Sequence, residues 1–319
     1  MSMQQEELLS KTPAMSLIPP EFDASAGPTA SLWRDTLRSV LHQRSAIAGL
    51  TLLIFLALVA VFAQQIAPYD PIDTHAATVA DAGPCIHALG CPASQAEHFF
   101  GTDTNFRDVF SRVVFGARIS LTIGFFTVGF AIIVGSLLGA IAGYAGGWLD
   151  NVIMRFMDVL LVFPSILLAI LIVTVLGVGL QNSLLAIGTV SIPVYARIMR
   201  ASVLTVREQD FVLASRALGE SPAGILFRRI LPNSLTPIIV AGTLGIGGAV
   251  LDVAALSFIG LGAQIPTAEW GSMIGLERER IFSAPNLLIF PGIALTLTVL
   301  GFNLLGDGVR DALDPRLNR

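Results

Sequence analysis

Long apolar runs separated by polar segments are the dominant pattern along this chain. The runs cover residues 46–63, 119–149, 159–196, 234–261 and 286–305. A membrane-spanning helix needs about 20 predominantly apolar residues, because the hydrocarbon core of a bilayer is roughly 30 Å thick. The pattern therefore predicts a helical chain that crosses a membrane several times.

The run 159–196 is too long to be a single span. One helix over its 38 residues would be roughly 57 Å long, nearly twice the thickness of the hydrocarbon core. The segment 177–182 holds two glycines and an asparagine, which favour a turn. We therefore expect two spans here and six in all, the first over 46–66 and the other five within 119–306.

The composition supports an all-α integral membrane protein. Hydrophobic residues make up 54% of the chain and charged residues only 13%, whereas soluble domains carry about 25% charged residues. The first apolar run starts at residue 46 and is too long for a signal peptide core, so we expect an uncleaved first span. The net charge of −4 argues against a nucleic-acid partner, which would need a basic surface.

The basic residues predict the orientation of these spans. Six spans place both termini on one side, and that side holds fourteen of the 19 lysines and arginines. By the positive-inside rule it is the cytoplasmic side. The cytoplasmic parts are then a tail over 1–45 with an amphipathic helix at 31–44, an insert over 200–233 and a tail over 307–319. The segment 67–118 is predicted to be periplasmic.

The first half of the insert predicts a short helix over 208–218. Residues at helical spacing form one face with small or apolar side chains, namely Phe211, Ala214, Ser215 and Leu218. Small side chains, also at Ala217, would let this face enter a groove on another protein. The alternative is an ordinary amphipathic helix that lies on lipid headgroups.

The second half of the insert predicts another short helix. Gly219 suits the left-handed position that ends the first helix. Ser221 and Pro222 are typical of a helix cap and first helical residue, and the second helix is expected to run to Leu231 and to stop at Pro232. Two helices joined at a glycine would form an elbow projecting from the membrane.

The residue types do not predict an enzyme. Lys11 is the only lysine, and no Gly-Lys-Ser/Thr sequence is present to bind nucleotide phosphates. No Ser-His-Asp or paired-carboxylate pattern is evident, so we assign no catalytic residue, no metal and no cofactor to this chain.

Asp252 is the only carboxylate predicted to lie well inside a span. An ionised carboxylate in hydrocarbon costs about 3 kcal/mol by insertion scales, so it must face a cavity, a partner or a hydrogen-bond network. It either lines a path through the membrane or makes a structural hydrogen bond within the bundle or to a partner subunit.

Cys85 and Cys91 are the only cysteines and lie close together in the predicted periplasmic segment. A disulfide is expected in an oxidising compartment. The alternatives are free thiols or a metal site with His87, His98 and His75, although the spacing is not that of recognised metal sites.

The insert resembles the coupling motif of ABC-transporter permeases. That motif reads Glu-Ala-Ala, three residues, Gly, and later Ile-any-Leu-Pro. Here Ala214-Ser-Arg-Ala-Leu-Gly219 is followed by Leu231-Pro232. Leu213 replaces the glutamate, Ser215 an alanine and Arg229 the isoleucine.

Other segments extend the resemblance to the C-type permeases of peptide and nickel importers. The similar segments are Gly101-Thr-Asp, Arg107-Asp-Val-Phe-Ser-Arg, Gly116-Ala-Arg-Ile-Ser-Leu121, Ile141-Ala-Gly-Tyr, Gly146-Gly-Trp-Leu-Asp-Asn, Phe163-Pro-Ser, Gln264 with Pro266 and Trp270-Gly271, and Gly306-Asp-Gly-Val-Arg-Asp-Ala-Leu-Asp-Pro-Arg. Phe106 departs from the usual glycine. Leu251-Asp252-Val-Ala-Ala-Leu-Ser-Phe resembles the dipeptide branch of the family and its relative in antimicrobial-peptide uptake.

The resemblance implies a type I ABC importer permease fold in a bacterial inner membrane. It implies a second homologous permease, two P-loop ATPases that use ATP and Mg²⁺, an external binding protein and a peptide cargo. The residues it places against an ATPase are Phe211, Ala214, Ser215, Arg216, Ala217, Leu218 and Gly219. Alternatives are another cargo, such as a nickel chelate, or an ion-coupled transporter or channel that needs no ATPase.

Overall fold

The computed structural model describes residues 39–313, which fold mainly as α-helices. Within this range no strand forms, and β pairing is limited to two isolated bridges, Cys85 with His98 and Thr102 with Asp108. Five helices are long and apolar enough to cross a membrane, and a bent pair makes a sixth crossing if counted as one span. The predicted all-helical membrane fold is confirmed. Residues 1–38, with most of the predicted helix at 31–44, and residues 314–319 lie outside the described range.

The α-helices between residues 44 and 313 are numbered in chain order. They are α1 Arg44–Val61, α2 Ala63–Ile66, α3 Val109–Ala145, α4 Gly147–Val162, α5 Ser165–Leu176, α6 Leu180–Val206, α7 Asp210–Ala217, α8 Pro222–Gly224, α9 Leu231–Asn233, α10 Thr236–Phe258, α11 Trp270–Glu277 and α12 Asn286–Leu313. A π-helical turn, Ile225–Ile230, connects α8 to α9, and 3₁₀ turns occupy His87–Leu89 and Arg278–Arg280.

The helix that contains the second predicted span starts at Val109, ten residues before the predicted residue 119. Asp108 caps α3 by accepting a hydrogen bond from the Ser111 amide at 2.7 Å. Arg118 is accommodated in the helix because its guanidinium donates to the carbonyls of Ala60 and Val61 at the end of α1. The helix therefore begins before the predicted boundary at 119, and the charge that suggested this boundary has partners on another helix.

The polar segment between the apolar runs 119–149 and 159–196 is helical rather than a loop. It forms α4, and Asp158 pairs with Arg197 of α6 at 2.6 Å. The chain then bends by 95° between α4 and α5. Phe163 is extended because the following Pro164 disfavours helical geometry at the residue before it.

The third and fourth spans also differ in length from the prediction. The helix α5 has only 12 residues, roughly 18 Å, so it cannot cross the hydrocarbon core without α4. The expected turn is confirmed, since Gly177 and Gly179 both have positive φ angles. The helix α6 then continues to Val206, and the predicted start of the insert at residue 200 therefore falls inside a helix.

The last two spans match the prediction more closely. The fifth, predicted over 234–261, is α10, whereas α12 starts at the predicted residue 286 and continues past 305 to Leu313. The predicted C-terminal tail at 307–319 is therefore helical in its first seven residues. In the bundle, α10 packs against α3, α6 and α12, and α1 packs against α12 and α3.

A glycine face brings α3 and α6 unusually close. A Cβ added at Gly135 would lie 2.7 Å from the Ile192 carbonyl oxygen, and one at Gly139 would collide with the carbonyl of Ala196. Small residues spaced by four allow such an approach between membrane helices. This contact fixes the direction in which α6 leaves the bundle and therefore the position of the insert that follows it.

Candidate functional site

The elbow between α6 and α10 turns at Gly219, as predicted. The helix α7 ends at Ala217, and Gly219 adopts a φ of +80°, the left-handed conformation that favours glycine. The Ser221 hydroxyl then accepts a hydrogen bond from the Gly224 amide at 3.2 Å, and Pro222 occupies the first turn. These two local predictions are confirmed.

The second half of the elbow differs from the prediction. The helix does not stop at Pro232 but continues to Asn233, after the π turn Ile225–Ile230. In an α-helix the proline ring collides with the carbonyl four residues earlier. The π turn shifts the hydrogen-bond register by one residue just before Pro232, which lets the chain stay helical through it. The predicted stop was therefore wrong.

An apolar anchor holds the elbow against the bundle. Val212 of α7 and Ile225, Leu226 and Ile230 of the π turn are buried, and they share a hydrophobic cluster with Met199 of α6. Full burial of one such side chain is worth about 1.5–3 kcal/mol relative to exposure. Both halves of the elbow are thus fixed relative to α6.

The residues predicted to contact an ATPase lie away from this anchor. Six of the seven are exposed, namely Phe211, Ala214, Arg216, Ala217, Leu218 and Gly219. Leu218 is 88% exposed. Ser215 is half-buried, and its hydroxyl donates to the Phe211 carbonyl at 3.0 Å. The elbow therefore presents a narrow surface of small and apolar side chains, which we call the elbow face.

An ion pair joins the two halves of the elbow. The Arg229 guanidinium, which stands at the isoleucine position of the coupling motif, contacts the Glu220 carboxylate at 3.0 Å. Arg229 is about half exposed, so the pair contributes at most about 1 kcal/mol. Leu213, which replaces the motif's glutamate, is exposed. The sequence pattern did not predict this pair.

Asp252 lies on α10 beside a cavity of about 140 Å³. The cavity is bounded by the α4–α5 bend at Phe163 and Ser165 and by Val190 and Ser191 of α6. Asp252 is exposed at the surface of the isolated chain. No hydrogen bond or ion pair within residues 39–313 involves its carboxylate, so the structure gives no support to a structural hydrogen bond inside the bundle.

The cysteines and histidines have separate partners. A disulfide joins Cys85 to Cys91, so neither sulfur is available to a metal. The His87 ring contacts the Gln95 carbonyl at 2.8 Å, whereas His98 is buried and its Nδ1 contacts Asp108 at 2.9 Å. In the structure, the cysteines, His87 and His98 of the alternative metal site therefore contact different partners instead of one another.

A buried charge cluster lies on the predicted periplasmic side. The sequence pattern did not predict it. Arg107 contacts the Asp103 carboxylate at 2.7 Å, and Arg112 lies 3.6 Å from the same carboxylate. The Thr104 hydroxyl donates to Glu277 at 2.9 Å and thereby joins this segment to the end of α11. Burial raises the pKa of the Glu277 carboxyl, and the neighbouring Asp103 acts in the same direction.

The start of α11 carries a second buried carboxylate. Glu269 accepts hydrogen bonds from the amides of Gly271 and Ser272, both at 2.8 Å. Burial raises the pKa of Glu269, while these two amides oppose the shift. Trp270 donates its indole N–H to the Val113 carbonyl at 3.0 Å, which fixes α11 on α3.

Family comparisons agree with the architecture. Residues 135–319 match the family described as the binding-protein-dependent transport system inner membrane component. Residues 31–84 match the N-terminal transmembrane domain of oligopeptide transport permease C. These two matches cover both the elbow and the first span.

Individual relatives match over most of the chain. The dipeptide transport system permease protein DppC of Alkalihalophilus pseudofirmus is 47% identical over 306 residues, 96% of each chain. The glutathione transport system permease protein GsiD of Pectobacterium atrosepticum is 42% identical over 89% of this chain and 91% of that protein. The corresponding protein of Escherichia coli O157:H7 is 43% identical over the same shares.

A solved structure shares the fold. The methionine ABC transporter MetNI, in inward facing conformations, aligns with a TM-score of 0.53 at 19% identity, over 64% of this chain and 97% of the matched chain. At that identity the likeness concerns the fold alone. With the family match over more than half of the chain and relatives above 40% identity, the chain belongs to the family of inner membrane components of binding-protein-dependent transport systems.

Proposed function

We propose that this chain is the permease subunit of an ATP-driven importer of dipeptides or short oligopeptides. The 47% identity to a dipeptide transport system permease over 96% of both chains supports this cargo. Relatives at 42–43% identity carry the name of glutathione transport systems, which favours small peptide-like solutes over a sugar or an ion.

The elbow face is the single observation that carries the coupling mechanism. The side chain of Val212 lies on the buried side of α7, whereas Leu218 on the opposite side is 88% exposed. A surface of this kind on a rigid anchor can transmit force to a neighbouring protein. It docks on a separate ATPase, and closure of two such ATPases around ATP and Mg²⁺ rocks the permease between inward- and outward-facing states.

The orientation follows from the distribution of charge. The elbow and both termini are cytoplasmic, because the basic residues concentrate on their side. The charge cluster and the Cys85–Cys91 loop then face the periplasm, where a disulfide persists. An external binding protein delivers peptide to this side, and a second homologous permease completes the path through the membrane.

Reconstitution in proteoliposomes tests the function. The permease pair, the ATPases and the binding protein are combined, and uptake of a radiolabelled dipeptide is measured with ATP and with a non-hydrolysable analogue. We expect uptake only with ATP, and competition by unlabelled dipeptide but not by nickel chelate. Uptake without ATP under an imposed proton or sodium gradient would contradict the proposal.

A further inference from the structure

The depth of Asp252 in the membrane places strong constraints on its role. The helix α10 has 23 residues, so Asp252 lies about 24 Å from its first residue and about 9 Å from its last. A charged side chain at such a depth faces the interior of an assembly or a water-filled cavity, and such residues mark solute pathways. No group in residues 39–313 pairs with Asp252, so its carboxylate is available to a group from outside the described part of the chain.

The cavity next to Asp252 indicates the size of that partner. Its volume of about 140 Å³ is close to the roughly 150 Å³ of a protein cavity that binds benzene. That space holds a charged group with a few adjoining carbon atoms and is too small for a whole peptide. The site is therefore suited to one end of an elongated solute.

The lining of the cavity indicates the chemistry. Most of the wall is apolar, including Leu160, Phe163 and Val190, and the polar side chains on it are Asp252, Ser165 and Ser191. Ser191 already donates its hydroxyl to the Ile187 carbonyl at 2.8 Å. Divalent cations such as Ca²⁺ or Mg²⁺ require about six oxygen ligands, which this wall does not offer. An organic ammonium needs one carboxylate and an apolar neighbourhood for its carbon atoms.

We propose that Asp252 and this cavity form a transient subsite for the protonated amino terminus of the peptide in transit. The inference rests on the proposed function, because it names the part of the cargo that the permease contacts. The carboxylate holds the ammonium at the α4–α5 bend while the rest of the peptide lies in the path shared with the second permease. A change in the angle of that bend would reshape the cavity and release the ammonium.

Chemical labelling tests the site without any transport step. A hydrophobic carbodiimide modifies carboxylates in apolar surroundings, and mass spectrometry of the complete importer measures modification at Asp252. We expect millimolar alanyl-leucine to slow this modification at least fivefold, while N-acetyl-alanyl-leucine does not. Asp158, paired with Arg197, is the internal control and should react equally under both conditions. Equal protection by the acetylated peptide or by sodium chloride alone would overturn the assignment.

Transport by variants supplies the second test. In the reconstituted importer, Asp252→Asn should lower the maximal rate of alanyl-leucine uptake at least tenfold, and Asp252→Glu should restore at least a third of it. Leu251→Asn, the same replacement at the exposed neighbouring position, is the matched control and should keep most of the rate.

Two results would contradict the subsite. Wild-type uptake by Asp252→Asn would do so, and so would loss of the second permease from the purified complex, which would assign Asp252 to the subunit contact. If the wild-type importer moves no peptide while labelling of Asp252 still shows amine-specific protection, the proposed function fails and the ammonium subsite stands.

Discussion

Val212 is the residue on which the geometry of the elbow depends most. It is fully buried, whereas its neighbour Leu213 is exposed. We expect Val212→Ala to lower the free energy of local opening of α7 by about 2 kcal/mol, because it removes two buried carbon groups and leaves a cavity. Amide hydrogen exchange in α7 should then be faster by roughly 30-fold, since 1.4 kcal/mol corresponds to a factor of ten.

Leu213→Ala is the matched control for that measurement. It removes more carbon atoms from the same helix, but from its exposed side, so exchange should change less than threefold. Equal acceleration by both variants would show that α7 is not anchored through Val212.

The buried Glu277 predicts a pH dependence of stability. Burial raises the pKa of this carboxyl, so the folded protein binds more protons than the unfolded one. Its contribution to stability is then full at low pH and is lost as the pH rises through the raised pKa. Compared with Glu277→Gln, the wild-type Tm should therefore fall as the pH rises above the ordinary glutamate pKa of 4.5.

Thermal unfolding in detergent measures this difference directly. Glu279→Gln, two residues further along and exposed, should leave the pH profile of the wild type unchanged. A wild-type Tm that rises relative to Glu277→Gln with increasing pH would mean that the nearby arginines outweigh burial.

At the scale of elements, the close contact between α3 and α6 determines the position of the elbow relative to the bundle. Gly139→Ala should destabilise the protein by about 1–3 kcal/mol, because the added methyl group meets the Ala196 carbonyl. Gly129→Ala, on the same helix with nothing within 4 Å, should be neutral or stabilising by about 0.5–1 kcal/mol. Thermal unfolding of the two variants provides the comparison, and similar Tm values would contradict the packing role.

The elements that sequence patterns predicted well are those whose interactions are local. The apolar run of α10, the left-handed Gly219 and the Ser221 cap each depend on neighbours within a few residues. The start of α3 and the helix α4 were missed because Arg118 and Asp158 looked like loop charges. Their partners are on other helices, at Val61 and Arg197, and spacing along the chain does not reveal such pairs.

The candidate sites show the same division. Helical spacing predicted a docking face around Ala214, although residues outside that face, such as Leu213, are exposed as well. The Glu220–Arg229 pair depends on how the two halves of the elbow fold back on each other. Only the folded structure could show that no residue within 39–313 pairs with Asp252. Its cavity lies at the bend next to Pro164, inside the run 159–196, for which only the turn at 177–182 was predicted.

At the scale of the whole molecule, the charge cluster and the elbow lie at opposite ends of the described helical bundle. The charge cluster around Asp103 joins the segment before α3 to α11 and makes a firm cap on one side. The elbow is fixed to α6 on the other side and presents exposed small residues. Between them, Asp252 and its cavity lie at the α4–α5 bend. A relative movement of the two ends would change the shape of this cavity.

The central claim is that the elbow face docks on a separate ATPase, and Ala214→Trp tests it most directly. The importer is purified through the permease, and the bound ATPase and its peptide-stimulated ATP hydrolysis are measured. Ala145→Trp, the same change at an exposed alanine at the end of α3, is the control. We predict at least a tenfold loss of bound ATPase and of stimulated hydrolysis for Ala214→Trp alone, with the second permease retained. Wild-type amounts of bound ATPase in Ala214→Trp would contradict the account.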